Sequence, residues 1–144
     1  MRFINKNELI ITKTPLRVSL FGGGTDYPEH FLKHGGLTIN FAIDKYNYII
    51  LKKSKELTNK KYLLSYSKKE TTNLIKQIKH PSIRECLKYF KINKRLEIHH
   101  IADLQSKTGL GSSSSFTVGL IKALIKLKNQ NISKKKSIRK GNYY

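Results

Sequence analysis

The sequence predicts an α+β domain, and three observations carry that prediction. Apolar residues alternate along several short runs in the first half of the chain, the period-two signature of half-buried strands. Helical apolar spacing recurs over Ser82–Lys91 and over Phe116–Leu127. The resulting order is several strands, two helices, a strand, a glycine-bearing loop and a last helix. That order is neither a repeat array nor a strict strand–helix alternation.

Taken in order, Glu8–Thr12 and Leu16–Phe21 read as strands; in the second, Leu16, Val18 and Leu20 alternate with Arg17 and Ser19. Pro15 between them fits a strand start or a sheet edge, where a missing N–H does least harm. Gly22-Gly23-Gly24 ends the strand, and Pro28–His34 reads as a short helix with proline in its first turn, closed by Gly35-Gly36. Leu37–Lys52 is the strongest sheet candidate, with a bend expected at Asp44-Lys45. Lys60–Tyr66 follows as another strand. Thr72–Lys79 and Ser82–Lys91 are expected to be helices divided by His80-Pro81. Arg95–Ile101 alternates again and leads to the glycine loop, after which Ser112 or Ser113 is the expected N-cap of the last helix.

The chain of 144 residues is long enough for one domain with a real core. Its formal charge of +20 raises nucleic acid as a partner. Yet 24 of the 29 basic residues are lysine and only five are arginine, and they are spread along the chain. A base-reading protein favours the bidentate arginine fork, so a solvated basic surface and no nucleic-acid partner are expected. Cys86 is the single cysteine and shares a helical face with Ile83, Leu87 and Phe90, which reads as a core thiol rather than a nucleophile. The five histidines show no metal spacing; His99 and His100, adjacent on a strand, face opposite ways. With no apolar run of membrane-spanning length and no signal-peptide pattern, the expectation is a cytoplasmic protein with no membrane partner.

Two segments carry chemistry. Gly109-Leu110-Gly111 followed by Ser112, Ser113, Ser114 and Ser115 opens directly into an amphipathic helix. A Gly/Ser run can be a mere linker. This one is short and abuts a helix whose first N–H groups point outward unpaired, with a dipole favouring negative charge. Capping would explain one serine, not four, so the run reads as a phosphate cradle. It is not a Walker A loop, since no Gly-Lys-Ser/Thr closes it. The second segment, Gly22-Gly23-Gly24-Thr25-Asp26-Tyr27, admits two readings: a tight turn with Thr or Asp capping the next helix, or a sugar site. Asp26 can accept hydrogen bonds from vicinal hydroxyls, and Tyr27 can supply a wall or a phenolic partner. Arg17 is either a surface arginine or a cation near the end of its strand.

Together, Thr14–Pro28 and Thr108–Leu120 resemble the GHMP small-molecule kinases, most closely the heptose 7-phosphate kinase and sugar-1-kinase branch, over about Ile11–Leu127. The resemblance implies an N-terminal domain of the ribosomal-protein-S5 domain 2 type, incomplete here. It implies ATP and Mg2+, with Lys107, Thr108, Gly109, Leu110, Gly111, Ser112, Ser113, Ser114 and Ser115 around the ATP phosphates and Ser113 on magnesium. Gly24, Thr25, Asp26 and Tyr27 would bind a small sugar or sugar phosphate, and Arg17 would stabilise the transferred phosphate. Relatives usually carry Pro and Arg where Gln105 and Lys107 stand, which weakens Lys107 as a charge partner.

The implied activity is transfer from ATP to a sugar hydroxyl, the anomeric hydroxyl of a heptose 7-phosphate or similar sugar. Relatives continue to an acidic residue in an Asp-Gln context and a third glycine motif, whereas no Asp or Glu follows Asp103 here. The expectation is therefore a kinase N-terminal part, inactive alone unless a separate C-terminal fragment complements it; the alternative is a non-catalytic nucleotide- and sugar-binding remnant. The expected domain is 1–127. Residues 128–144 hold six basic and no acidic residues, with only Ile132 and Ile138 as aliphatics, and are expected to be disordered or frameshifted. The run Lys134–Lys136 implies an adenine-rich tract where a frameshift would fall.

Overall fold

A long antiparallel pair anchors the fold: β1 (Leu9–Phe21) and β2 (Ile39–Lys53), joined through the short helix α1 (Pro28–His34). β3 (Tyr62–Ser65) and β4 (Lys69–Thr72) form a hairpin, followed by a single 3-10 turn at Ile75–Gln77 and by α2 (Pro81–Tyr89). β5 (Leu96–Ala102) then returns to the sheet and α3 (Ser112–Leu127) crosses it. The computed structural model describes residues 9–53, 59–104 and 109–128. Strand order is β1-β2-β5-β3-β4, antiparallel except where β3 runs parallel to β5.

The core lies on one face of that sheet. Ile49, Leu51, Leu64, Leu96 and Ile98 pack against Ile83, Cys86 and Leu87 of α2 and against Phe116, Leu120, Ala123 and Leu124 of α3. Each aliphatic side chain so buried stabilises the fold by about 1.5–3 kcal/mol relative to exposure. α3 lies close over β1 and β2 at Gly119, whose carbonyl accepts a hydrogen bond from Thr12 Oγ1 at 3.0 Å. Cys86 is buried as expected, and burial, with a smaller push from the Glu85 charge, raises its thiol pKa to about 12.

Several elements depart from the sequence expectation. The two N-terminal strands are one, since Pro15 pairs with Tyr46 on a strand at the sheet edge. An edge strand leaves one row of N–H groups without a ladder partner, so proline costs little there. The bend expected at Asp44-Lys45 is an irregularity in which β2 carries extra residues between Tyr46, opposite Pro15, and Ala42, opposite Arg17. The helix expected over Thr72–Lys79 does not form. Thr72 ends β4, its Oγ1 accepts the Leu74 N–H at 3.2 Å, and His80 is held extended before Pro81. Glu70 further fixes this segment by accepting the Lys79 N–H at 2.9 Å. Among the described residues no helix is long and apolar enough to cross a membrane.

β2 meets β5 only over Asn47–Lys53. The segments Pro15–Phe21 and Ile39–Tyr46 therefore continue past the sheet as a two-stranded ribbon, with α1 at its end. Ribbon and α3 converge on the two motif segments.

Candidate functional site

The glycine loop is seated by backbone geometry. Gly109 and Gly111 both lie in the left-handed region, at φ 74° and 67°. Gly111 is the N-cap of α3, with no side-chain capping bond, so neither Ser112 nor Ser113 caps the helix as expected. Its carbonyl accepts the Ser115 N–H at 2.9 Å, the first bond of the helix. The N–H groups of Ser112, Ser113 and Ser114 precede that bond and have no intrahelical acceptor.

The four serines divide by environment. Ser113 and Ser114 are exposed at the helix mouth, and Ser112 is half-buried. Ser115 is buried, and its hydroxyl donates to the Thr14 carbonyl at 3.2 Å, which ties α3 to β1 rather than facing the loop. Ser112 is held from below: Asn47, fully buried, donates through Nδ2 to the Ser112 carbonyl at 2.9 Å. Its Oδ1 lies 3.0 Å from His100 Nε2, so that ring nitrogen carries the proton and donates. Nothing in the run around Tyr46-Asn47-Tyr48 marks Asn47 in advance, since an asparagine on a strand ordinarily reads as a solvent-facing residue.

Arg17 joins the loop to the second motif. Its N–H donates to the Leu110 carbonyl at 3.1 Å, laying the loop along the open edge of β1. Its guanidinium lies over Gly111: a Cβ built there would overlap Nη1 and stand 3.1 Å from Cγ and 3.3 Å from Cζ. From that seat Nη2 reaches to 4.0 Å from Asp26 Oδ2. Both side chains remain more than a third exposed, so solvent weakens their attraction while leaving them open to a ligand.

The glycine-rich turn holds its shape through Thr25. Its N–H donates to the Gly22 carbonyl at 2.9 Å, and its hydroxyl accepts the Leu37 N–H at 3.2 Å. Thr25 thus staples the end of β1 to the start of β2. The helix that follows is capped by Tyr27, whose carbonyl accepts from His30 and Phe31 at 3.0 Å. Neither Thr25 nor Asp26 caps it. Asp26 is exposed with Arg17 as its ionic partner, Tyr27 is exposed, and Gly24 has open space above its Cα.

The structure therefore places Arg17, Asp26, Leu110, Gly111, Ser112 and Ser113 along one path. Lys107 and Thr108 lie outside the described residues. A separate cavity of about 310 Å³, lined by Leu63, Leu64, Ser65, Lys69, Thr71 and His99, shares none of these residues. Among the described residues no cluster of three or more His, Cys, Asp or Glu could hold a metal ion.

A glycine loop thus leads into the N-terminus of a helix that packs across a mixed sheet, the arrangement that the motif resemblance leads one to expect. The sequence profile of the GHMP kinases N terminal domain matches residues 73–142. The chain carries a GHMP kinase N-terminal domain, and its α+β fold is the one expected. It is 30% identical over 131 residues to the D-glycero-alpha-D-manno-heptose 7-phosphate kinase of Campylobacter jejuni, covering 81% of this chain and 37% of that protein. It superposes with a TM-score of 0.74 on a D-glycero-D-manno-heptose 1-phosphate kinase from Bacteroides thetaiotaomicron, at 21% identity, over 92% of this chain and 46% of that one. The mevalonate kinase of Methanococcus jannaschii gives 0.69 at 28% identity, over 93% and 44%. The chain thus spans less than half the length of each of these relatives.

Proposed function

We propose that this domain is the N-terminal part of an ATP-dependent sugar kinase, which transfers a phosphoryl group to a hydroxyl of a heptose phosphate or a similar sugar. The observation that carries the reading is Arg17, held at the glycine loop by its backbone and 4.0 Å from Asp26 by its side chain. One cation is thereby shared by the two segments that the kinase resemblance assigns to phosphate and to sugar.

In this reading the unpaired N–H groups of Ser112–Ser114 receive the ATP phosphates, helped by the α3 dipole. Arg17 neutralises charge on the transferred group, and Asp26 accepts hydrogen bonds from sugar hydroxyls beside Tyr27. Phosphoryl transfer depends on such positioning and charge neutralisation more than on covalent chemistry. Mg2+ fits as an ion carried by the nucleotide: the exposed Ser113 hydroxyl is one hard oxygen donor, and phosphates and water complete its preference for oxygen. Bound there, it would neutralise phosphate charge.

A second reading is a nucleotide- and sugar-binding unit without turnover, in which acids of the chain serve its structure. Asp103 accepts the Tyr46 N–H at 2.8 Å, and Glu70 accepts the Lys79 N–H at 2.9 Å. The acid beside Arg17 in the described site is Asp26. Coupled assays on the 144-residue chain with Mg-ATP and a panel of sugar phosphates separate the two readings. Negligible turnover is expected alone, with turnover restored by a complementing C-terminal fragment. In the active protein Asp26→Asn and Ser113→Ala are expected to lower kcat/KM at least a hundredfold with an unchanged fold. Turnover at the unsubstituted level in both variants would remove the assignment.

A further inference from the structure

We infer that Gly111 is a positioning residue for Arg17: the missing side chain at the head of α3 is the seat of the guanidinium that links the glycine loop to Asp26. The consequence for phosphate binding rests on the function proposed above; the seat itself does not. A glycine at φ 67° would ordinarily be explained by backbone freedom alone. Gly35 shows what that explanation covers, because at φ 73° it closes α1 with open space where a Cβ would stand. Gly111 differs from it in ψ, 27° against 174°, and in what a Cβ would meet. Its Cβ position is filled by Nη1, Cγ and Cζ of Arg17, residues 94 positions apart in the chain.

The surroundings explain why the guanidinium needs this seat. The Arg17 N–H is already committed to Leu110, so the side chain leaves β1 directly over the loop. Packed against Gly111, the N-cap of α3, it directs one amino group toward Asp26. Displaced by a methyl group, it would have to swing outward into solvent, where it loses both neighbours. The cation would then no longer be fixed relative to an anion held by the helix.

Three measurements on the folded chain test this. The first is the Arg17 Nε–Hε resonance, assigned by its loss in Arg17→Lys. It is expected to move toward the free-arginine position in Gly111→Ala and to stay in place in Gly35→Ala. The second is a stability cycle, in which the loss of unfolding midpoint caused by Gly111→Ala is measured with Arg17 present and in an Arg17→Ala background. The loss is expected to be smaller without Arg17, because only the left-handed backbone then opposes the alanine. The third is inorganic pyrophosphate binding, expected to weaken about tenfold in Gly111→Ala and by no further factor when Arg17→Ala is added. Gly111→Asn, which tolerates the left-handed conformation yet carries a Cβ, serves if the alanine variant does not fold. An unmoved Arg17 resonance, or an equal Gly111→Ala penalty with and without Arg17, overturns the inference. If the unsubstituted chain binds no pyrophosphate, the phosphate reading falls, and the resonance and the stability cycle still decide the seat.

Discussion

At the scale of single residues, buried polar groups beneath the site such as Asn47 and Ser115 have fixed partners, and one nearby group breaks that pattern. Thr14 Oγ1 is buried with no hydrogen-bond partner among the described residues, while the Thr14 carbonyl accepts from Ser115. An unsatisfied buried hydroxyl costs about 1–3 kcal/mol, whereas an apolar group of the same shape costs nothing of that kind. Thr14→Val is therefore expected to raise stability by about 1 kcal/mol, read by urea denaturation, because the backbone bond to Ser115 survives. A loss of stability would show that the hydroxyl has a partner in solution. Asn47 is the contrasting case, since both ends of its amide are used. Neither behaviour is legible in the sequence: burial of a lone Thr or Asn is decided by which strand lies above it, and the residues that satisfy Asn47 stand 53 and 65 positions away.

At the scale of elements, local pattern revealed those whose chemistry is local. α1 has the expected bounds, Pro28–His34, because proline starts it and a left-handed glycine stops it. The glycine loop and α3 were visible for the same reason. β4 was not, because Lys69-Glu70-Thr71-Thr72 is short and polar and is a strand only through its pairing with β3. The join of β1 across Pro15, the glycine cap of α3 and the Arg17–Gly111 contact likewise depend on distant chain. So does Gly119, which reads as a weak point in a helix. It is instead the place where α3 comes down onto β1: a Cβ there would stand 2.8 Å from Thr14 Oγ1 and 3.2 Å from Ile49 Cγ1. Gly119→Val adds a branched side chain to a gap with no room for its first atom. The expected loss is about 2–3 kcal/mol, of the size that overpacking costs. Thermal unfolding checks it, and an unchanged midpoint would mean that α3 can lift from the sheet without penalty.

At the scale of the whole molecule, three elements converge on Phe116. His80, at the start of α2, lies 4.9 Å from its ring, and His100, on β5, lies 4.8 Å away. Burial lowers the pKa of both imidazoles below the ordinary value of 6.5; the neighbouring His80 charge lowers His100 further, while the Glu70 charge partly opposes the shift at His80. The sign of the consequence follows from proton counting. Below about pH 6.5 the unfolded chain binds protons at these positions that the folded chain does not, so stability rises with pH across that window. It is fully present above the unfolded value and is lost as the pH falls toward the folded ones. Beside this cluster, burial raises the Glu70 carboxyl, but hydrogen bonds from the Lys79 N–H, the Tyr66 hydroxyl and the His80 N–H outweigh it and keep its pKa below the usual range. Its titration therefore falls at lower pH than the histidine window. Loss of stability between pH 7 and 5 is then expected to be shallower in His100→Gln, which keeps a donor toward Asn47 but cannot take up a proton. Urea midpoints measured at half-unit pH intervals for both proteins decide it. Parallel curves would assign the acid sensitivity to the +20 surface charge and its self-repulsion, a source that added salt would suppress and a buried imidazole would not.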